Sequence, residues 1–528
     1  MFKCNGTSCF DAAFEHRRQK ENKNTFLKSA SLRLFSDINQ HMIKKILGLL
    51  GLILLVLIAI ILFNTFRAKK WPVSTLNKEL VPLPDSAVQH MSQAIQIPTI
   101  SFSDTLPVDT AAFLTFRSFI EKSYPLIKQH LSKTVVDSLN FVFEWKGQNS
   151  ALAPIILMGH YDVVPVEQAV ISKWIVPPFS GKITDSCIWG RGSVDDKCGV
   201  ISVLEATEAM LRKNFVPQRT IFLCFGHDEE IRGGGARAIV SYLEQRSIKP
   251  ELVLDEGGEI TEDKIKDVKR PIAVIGVAEK GYASYELTVE KEGGHSSKPA
   301  KETAIDILVK ALYNLRSKTP DSRITPPVKE FLNRISSSSD LFVNRMAATN
   351  MWLFESVTKN VLSAKPEGNA MIHTTIVPTV LQSGIKDNVI PSTAKAIVNS
   401  RILTGETSKT VEEFIRKAIN DDRVKIKSLA GIGADPSPAT SIESSAFARV
   451  ESAIYKTVPD VIPTPFLMIG ATDSKYYRRI SDRVLNFTPM TDSKGFHGIN
   501  ERLPLRDFQR SIDFMMTIIE ESGKDFKQ

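Results

Sequence analysis

Three short apolar runs, separated by helical patterns, constrain the fold of this chain more than any other feature. Residues 154–159 are continuously apolar, as strands buried on both faces are, and residues 220–225 and 251–254 are also predicted to be strands. Between them, residues 199–211 and 235–243 have the apolar spacing of helices. Strand, helix, strand, helix, strand in this order predicts an α/β fold with a mainly parallel sheet and crossover helices.

A different pattern begins at about residue 277. Residues 283–290 and 393–403 alternate between apolar and polar positions, as half-exposed antiparallel strands do. One helix is predicted between them, at 304–316, and the rest of the interval reads as a long irregular stretch. These features indicate a second, smaller α+β domain.

The α/β character returns after about residue 431 and ends in an amphipathic helix at 505–521. We therefore expect one large domain formed by residues 72–276 and 431–528. The α+β domain at 277–430 is expected as an insertion into it.

Residues 46–63 are apolar and uncharged, and basic residues flank them on both sides. About eighteen to twenty apolar residues suffice to cross a bilayer as a helix. A cleaved signal peptide is the alternative, but the run is long for one and no small-residue cleavage site follows. We predict a single-pass transmembrane helix after an N-terminal tail (1–45), with the globular part on the non-cytoplasmic side. Met42 is a candidate for the true start.

Charge and cysteine usage narrow the class of protein. The formal net charge is +8, but part of the excess lies in the first seventy residues, and no basic and aromatic stripe follows. Nucleic-acid binding is therefore not expected. The five cysteines include no CxxC pair and form no dense framework, so we expect free or buried thiols.

Acidic and imidazole groups recur where the predicted strands end or helices begin. They are His160 with Asp162, Asp195 with Asp196, Asp228 with Glu229 and Glu230, and Asp255 with Glu256. The carboxyl ends of parallel strands meet at one edge of a sheet, where ligands bind. So many like charges would repel one another without a counter-ion. Two divalent ions sharing a bridging carboxylate would neutralise them, and His497 adds an imidazole from far along the chain.

The type of ligand favours zinc, with manganese or cobalt as substitutes, because imidazole and carboxylate groups are present without an obvious thiolate. Cys198 lies beside Asp195, but core packing is the preferred interpretation of this thiol. The Gly-rich segment 189–199 lacks the spacing of a phosphate-binding loop, and its aspartates would repel an anion.

Five motifs in this order resemble a known family. They are HxD at 160–162, GRGxxDxK at 190–197, DEE at 228–230, DEGG at 255–258 and HGxNE at 497–501. Together they resemble the co-catalytic zinc peptidase and aminoacylase family, in the branch of carboxypeptidase S and the N-fatty-acyl-amino-acid synthase/hydrolases. The resemblance runs from about residue 85 to the C-terminus and implies that the inserted domain is a lid or dimerisation domain.

The resemblance implies ligands for two zinc ions. These are His160, Asp195, Glu230, His497 and one of Asp255 and Glu256, because family members differ on which acid of that doublet binds. Asp195 is expected to bridge the two ions. His160 is expected with the acid of the doublet on one ion, and Glu230 with His497 on the other.

Five further residues receive roles from the same resemblance. Asp162 is expected to orient His160, which fixes its tautomer, and Glu229 is expected to be the general base. His295 resembles a histidine that stabilises an oxyanion, often across a dimer interface. Asn388 and Arg401 resemble the groups that bind the free carboxylate of the substrate. Segment 470–473 resembles a substrate-side loop to which we assign no role.

The predicted activity is hydrolysis, by metal-activated water, of the amide bond next to a free carboxylate in small peptides or N-acyl amino acids. A homodimer is compatible with the resemblance. One alternative is synthesis of N-fatty-acyl amino acids as the main direction. Another is a non-catalytic surface protein that binds peptides, which would have no need of Glu229.

Overall fold

The computed structural model describes residues 42–68, 71, 79–103, 106, 108–231, 233–262, 264–265 and 267–526. The chain divides into two compact units, Met1–Ala68 and Lys69–Gln528. In the first unit, the described residues form helix α1 (Met42–Phe66), which is long and apolar enough to cross a membrane or to serve as a signal sequence. It contains the predicted span 46–63, whereas residues 1–41 of the predicted tail lie outside the described residues.

The second unit contains all the strands described here. They are β1 (Ser132–Val136), β2 (Asn140–Trp145), β3 (Ile155–His160), β4 (Lys182–Thr184), β5 (Cys187–Trp189), β6 (Ile221–Gly226), β7 (Leu252–Asp255), β8 (Ile260–Thr261), β9 (Ile272–Glu279), β10 (Gly281–Glu290), β11 (Gly294–His295), β12 (Thr375–Ser383), β13 (Val389–Ile390), β14 (Thr393–Ile402), β15 (Val424–Ala434), β16 (Ile462–Met468), β17 (Val484–Asn486) and β18 (Arg502–Pro504).

The helices of this unit follow α1 in number. They are α2 (Asp85–Gln96), α3 (Thr110–Ser123), α4 (Pro125–His130), α5 (Lys197–Arg212), α6 (Gly234–Gln245), α7 (Ala304–Arg316), α8 (Pro326–Ser337), α9 (Phe342–Thr349), α10 (Met351–Ser363), α11 (Pro366–Ile372), α12 (Ser408–Ile419), α13 (Ser445–Thr457), α14 (Ser474–Tyr477) and α15 (Leu505–Glu520).

Nine of the described strands form the main sheet, in the order β1-β2-β6-β3-β7-β17-β9-β16 with β8 beside β9. Strand β3 pairs in parallel with β6 and β7, β7 with β17, and β9 with β16. Strands β1, β2 and β6 are joined by antiparallel pairing, as are β8 with β9 and β17 with β9. The sheet is therefore mixed: the central pairs and the β9–β16 pair are parallel, as expected, whereas the remaining pairs are antiparallel.

The physical reason for the difference is the β1–β2 hairpin, which the sequence pattern did not predict. Strands β1 and β2 are connected by a tight turn in which Asp137 and Ser138 have positive φ. Strand β2 then adds next to β6, with Phe141 opposite Phe225. A short turn permits only antiparallel pairing, so no crossover helix is needed there.

Helices cover both faces of the main sheet. One apolar core contains side chains of α2, α3, α5, α13 and α15, including Phe113, Val200 and Phe514. A second core, on α6 and around Tyr477, includes Ile156 and Ile239. Because β3 is buried along its whole length, its continuous apolar sequence is explained by this two-sided cover.

The second sheet is antiparallel, and four of the described strands form it in the order β12-β14-β10-β15. Helices α7 and α12 pack on it around an apolar core of its own, which includes Tyr285, Ile307 and Ile415. The chain leaves the main sheet at Glu279 and enters the second sheet at Gly281, and the last strand of the second sheet ends at Ala434.

The interval that the sequence suggested to be irregular is instead largely regular. It contains α8, α9, α10, α11 and the edge strand β12. Apolar residues of α8 and α11 pack against β9 and β16, including Val328, Phe331 and Ile372. These short helices bury their apolar faces on another part of the chain, which a local pattern does not reveal.

Candidate active site

The parallel centre of the main sheet places acidic and imidazole residues at one edge. His160 is the last residue of β3, and Asp255 is the last residue of β7. The turn that contains Glu229 and Glu230 follows β6, while Asp195 lies just before α5. Strands β6, β3 and β7 are neighbours and run in parallel, so their carboxyl ends meet.

His160 is buried among three carboxylates. Its Nε2 lies 3.1 Å from Asp195 Oδ1 and 3.1 Å from Glu256 Oε1. Its Nδ1 lies 3.2 Å from Asp162 Oδ1. One ring nitrogen is thus held by Asp162, while the other faces the two acids that a cation could share with it.

Asp195 also contacts the second imidazole of the site. His497 Nε2 lies 2.7 Å from Asp195 Oδ2 and 3.2 Å from Glu230 Oε2. His497 adopts a φ of 52°, in the left-handed region, within the turn that precedes β18. The two oxygens of Asp195 therefore face different histidines, which is the geometry that a bridging ligand requires.

Two overlapping groups of possible ligand atoms result. His160, Asp195 and Glu230 offer atoms within 4.8 Å of one another, and so do His160, Glu229 and Glu256. His497 extends the first group through its contacts with Asp195 and Glu230. The structure therefore brings these six predicted residues together.

Asp162 connects the imidazole to the turn after β6. Its fully buried carboxylate accepts the backbone N–H groups of Glu229 and Glu230, both at 3.2 Å, in addition to its contact with His160. One carboxylate thus sets the orientation of the ring and the position of two acidic residues. Asp162 therefore contacts His160 as expected from the sequence, and it also holds the backbone of Glu229 and Glu230.

The two acids of the 255–256 doublet point to different surroundings. Glu256 contacts His160, whereas Asp255 Oδ2 accepts a hydrogen bond from Thr472 Oγ1 at 2.7 Å and from Ser474 N at 3.1 Å. Asn486 Nδ2 donates to the Glu256 carbonyl at 2.9 Å. Of the two candidates, Glu256 is therefore the one that lies in the cluster, while Asp255 holds the loop of Thr472.

Glu501 is a positioning residue for which the sequence predicted no role, although it belongs to the HGxNE motif. Its buried Oε1 accepts N–H groups of Val194 at 2.8 Å and Asp195 at 3.2 Å. Its Oε2 accepts the Gly192 N–H at 3.1 Å and Arg191 Nη1 at 2.5 Å. The last motif therefore shapes the loop of the second motif. The place of Glu501 in the HGxNE motif was the only hint of this role in the sequence.

Electrostatics in the cluster favour a cation. Burial raises the pKa of Glu229 well above its ordinary value. Burial, together with the charge of Asp195, raises the pKa of Glu256 to about 8. Hydrogen bonds to Asp195 and Glu230 raise the pKa of His497 to about 10. Without a cation, several of these groups hold protons that a metal would displace.

The donor set also fits a metal. Glu230 Oε1 is buried without a hydrogen-bond partner among the described residues, so it is available as a ligand. The atoms that converge are imidazole nitrogens and carboxylate oxygens, as in zinc sites of hydrolases. Cys198 and Cys224 are buried free thiols, and burial raises the pKa of both, which keeps them protonated.

A cavity of about 450 Å³ connects this cluster with Arg401. Glu229 and Glu230 line one part of it, and Lys280, Tyr282 and Arg401 line another. The Arg401 guanidinium lies 4.8 Å from the ring centroid of Tyr282. A cation held on an aromatic face beside the acidic cluster is suited to a substrate carboxylate.

His295 and Asn388 lie together, but outside the lining of this cavity. Strand β11 pairs with β13, which places His295 opposite Val389. Ser296 N donates to the Asn388 carbonyl at 3.2 Å, and His295 Nδ1 accepts a hydrogen bond from Ser297 N at 3.1 Å. Both residues are exposed. The structure thus brings these two predicted residues to each other, and not to His160 or Arg401.

Comparison with known proteins adds a family and a fold. The model of peptidase family M20/M25/M40 matches residues 156–521. The probable carboxypeptidase S-like 2 of Dictyostelium discoideum is 37% identical over 447 residues, which cover 83% of this chain and 85% of that protein. The human N-fatty-acyl-amino acid synthase/hydrolase PM20D1 is 34% identical over 470 residues, which cover 87% of this chain and 91% of that protein.

A solved structure shares the architecture. The M20 family metallo-carboxypeptidase Sso-CP2 from Sulfolobus solfataricus superposes with a TM-score of 0.61 at 19% identity. The match covers 83% of this chain and 99% of that chain. At this level of identity the likeness concerns the fold.

Proposed function

Because the chain belongs to peptidase family M20/M25/M40 and is a metal-dependent hydrolase of that kind, we propose that it cuts the amide bond next to a free carboxylate with two zinc ions. We further propose that α1 anchors it in a membrane, with the catalytic unit on the non-cytoplasmic side. One observation carries the proposal: the cavity that holds Glu229 beside the acidic cluster also holds Arg401.

The proposed zinc ligands form two sets around Asp195. His160 and Glu256 would hold one ion, Glu230 and His497 the other, with one Asp195 oxygen for each. When bound, such ions polarise a carbonyl oxygen and lower the pKa of water. Asp162 keeps the His160 ring in the orientation that leaves Nε2 free for a metal.

Glu229 is the proposed general base and acid. It lies in the group with His160 and Glu256 and lines the cavity into which a substrate would enter. In this role its carboxylate takes the proton of the attacking water and gives it to the leaving nitrogen. A protein that only binds peptides would not need a carboxylate at this position.

Arg401 is proposed to select substrates with a free carboxylate. A guanidinium can donate two parallel hydrogen bonds to a carboxylate, and Tyr282 supports its plane. We propose that Asn388 and His295, which lie at the β11–β13 pair, also contact the substrate. Since these two residues lie outside the cavity lining, they would reach the substrate either from a homodimer partner or after a movement of the second sheet.

The two relatives suggest two substrate classes, peptides with a free C-terminal carboxylate and N-fatty-acyl amino acids. The name of the relative that suggests the second class also mentions synthesis, and one active site catalyses both directions of a reaction. We propose hydrolysis as the main direction, because water is in large excess and the free acid and amino acid that synthesis would join are dilute.

The test is amide cleavage by the full-length protein in detergent with added zinc. The panel pairs N-acetyl, N-long-acyl and glycyl groups with several amino acids, and includes carboxamide analogues that lack the free carboxylate. Glu229→Gln is expected to lose about 10²–10⁴-fold in kcat while retaining zinc. Lack of turnover by zinc-loaded wild-type protein across the panel would favour a binding protein. Efficient cleavage of the carboxamide analogues would remove the role proposed for Arg401.

A further inference from the structure

Lys475 lines the same cavity as Glu229 and Arg401, but the proposed reaction gives it no role. It lies in the short helix α14, directly after the segment 470–473, and its side chain is half-buried. Burial disfavours its charge, but Asp473 and other nearby acids raise the pKa of Lys475 above its ordinary value. Lys475 is therefore a cation at neutral pH, in a cavity that a substrate would enter.

Within the described part of the chain, no carboxylate forms an ion pair with Lys475. Two further acids line this part of the cavity, and both are bound elsewhere. Glu279 Oε1 accepts hydrogen bonds from Thr472 N at 2.8 Å and from Thr472 Oγ1 at 3.0 Å. Asp435 Oδ1 accepts the Ser408 N–H at 2.7 Å. The ammonium group of Lys475 is thus left for a ligand, because a partly buried charge is costly without a partner.

A second cation lies beside Lys475, on the ring of Tyr476. Lys475 Nζ is 4.9 Å from the centroid of this ring, and the Arg237 guanidinium is 5.2 Å from it. Arg237 Nη2 also donates to the Tyr476 hydroxyl at 3.4 Å, but Arg237 forms no ion pair with any described residue. We call these two residues the Lys475–Arg237 pair. Two cations on one ring repel each other, and an anion bound beside them would offset that repulsion.

The other cations of the cavity have their own partners. Lys280 Nζ donates to two backbone carbonyls, at 2.9 and 2.8 Å, so its hydrogen bonds are already used within the protein. Arg401 lies on the ring of Tyr282 and is the proposed partner of the free carboxylate of the substrate. A substrate with that carboxylate alone would engage Arg401 and leave the Lys475–Arg237 pair without an anion.

From these observations we infer that the Lys475–Arg237 pair binds a second carboxylate of the substrate, so that amide bonds next to a glutamate or aspartate side chain are cut preferentially. The inference rests on the proposed function and names a substrate class within it. An ammonium and a guanidinium group both donate charge-assisted hydrogen bonds to a carboxylate. Lys475 contributes more than the exposed Arg237, because water and salt screen a half-buried charge less.

Pairs of substrates that differ only in one charge test the inference. Zinc-loaded full-length protein in detergent is given N-acetyl-glutamate against N-acetyl-glutamine, and the dipeptide Glu-Leu against Gln-Leu. The two pairs place the second carboxylate on either side of the cut bond. We expect kcat/KM of the wild type to be about tenfold higher for the acidic member of one pair. Lys475→Met should abolish this preference, whereas Lys475→Arg should keep most of it.

Two further variants serve as controls. Lys409→Met removes an exposed lysine of α12 outside the cavity lining and should leave the preference unchanged. Arg401→Met should lower cleavage of both members of a pair alike, because both carry the free carboxylate that Arg401 is proposed to bind. Equal losses on both members in Lys475→Met would overturn the inference. A wild type that prefers neither acidic substrate would overturn it as well.

Binding separates a failure of this inference from a failure of the proposed function. Zinc-loaded Glu229→Gln protein is titrated with the same four compounds in a calorimeter, so that no turnover is required. Adding Lys475→Met should weaken binding of the preferred acidic compound by about tenfold and leave its neutral counterpart unchanged. If no compound is cleaved but this difference persists, the second carboxylate site stands and hydrolysis of these amides does not. Equal binding within both pairs would overturn the site even in an active hydrolase.

Discussion

The carboxylate of Glu501 accepts the backbone N–H of Asp195 at 3.2 Å, so a residue near the C-terminus shapes the loop that presents the central acid of the site. Glu501 lies four residues after His497, which contacts the same Asp195 through its side chain. The last motif therefore contributes an imidazole and also the support for its partner. A change at Glu501 should disturb both.

We predict that Glu501→Ala lowers the free energy of unfolding by about 3–5 kcal/mol, because it leaves the buried Arg191 charge without its partner. The zinc content should fall as well, since the Asp195 loop loses its anchor. Chemical denaturation and metal analysis measure the two effects. Glu412→Ala, which breaks an exposed pair with Arg416 on α12, should cost only about 0.5 kcal/mol. Equal effects of the two substitutions would contradict the positioning role.

We predict different outcomes for the two acids of the 255–256 doublet. Glu256→Gln should lose one of the two zinc ions, because Glu256 faces His160. Asp255→Asn should keep both ions and lower activity through the Thr472 loop that Asp255 holds. Metal content of the purified variants, measured by atomic emission, decides between them. Loss of zinc only in Asp255→Asn would reverse our assignment.

Zinc binding should release protons. In the metal-free protein the pKa of Glu256 is raised to about 8 and that of His497 to about 10, so both groups hold protons at neutral pH. Zinc needs the unprotonated forms and must displace those protons. Apparent affinity should therefore rise with pH up to about 8, where Glu256 loses its proton, and further up to about 10, where His497 does. Titration calorimetry in two buffers of different ionisation enthalpy measures the release, and identical heats would refute it.

We predict that Arg401→Met lowers kcat/KM for substrates with a free carboxylate by about 10–150-fold, the effect of losing hydrogen bonds to a charged group. The carboxamide analogues should be affected much less, because they lack the charge that Arg401 would bind. A matched change at the neighbouring cation, Lys280→Met, is less informative, since Lys280 Nζ donates to the Ala370 and His373 carbonyls. An equal loss on both substrate types would indicate a structural role for Arg401.

The grouping of the site residues could be predicted from the sequence more completely than the fold could. Strand ends in a parallel arrangement must meet, so the grouping of His160 with the acids after β6 followed from the order of the elements. The choice between Asp255 and Glu256 could not be made in this way. Successive side chains point in opposite directions, and the outcome depends on where β7 ends.

The rest of the fold escaped prediction for a related reason. The β1–β2 hairpin depends on a turn with positive φ at Asp137 and Ser138, neither of which is a glycine. Helices α8 and α11 are short, and their stability comes from packing against β9 and β16, which are distant in the sequence. The contact of Glu501 with Asp195 joins distant parts of the chain, and the HGxNE motif alone does not reveal which loop Glu501 holds.

The contacts of Asp195 with His160 and His497 also determine when the site can form during translation. His160 and Asp195 leave the ribosome before the second sheet, whereas His497 and Glu501 emerge only after it. A nascent or truncated chain that ends before His497 has one of the two imidazoles and an unsupported Asp195 loop. The proposed hydrolytic centre can thus form only after the second sheet has been made, and we expect chains that end before His497 to be inactive.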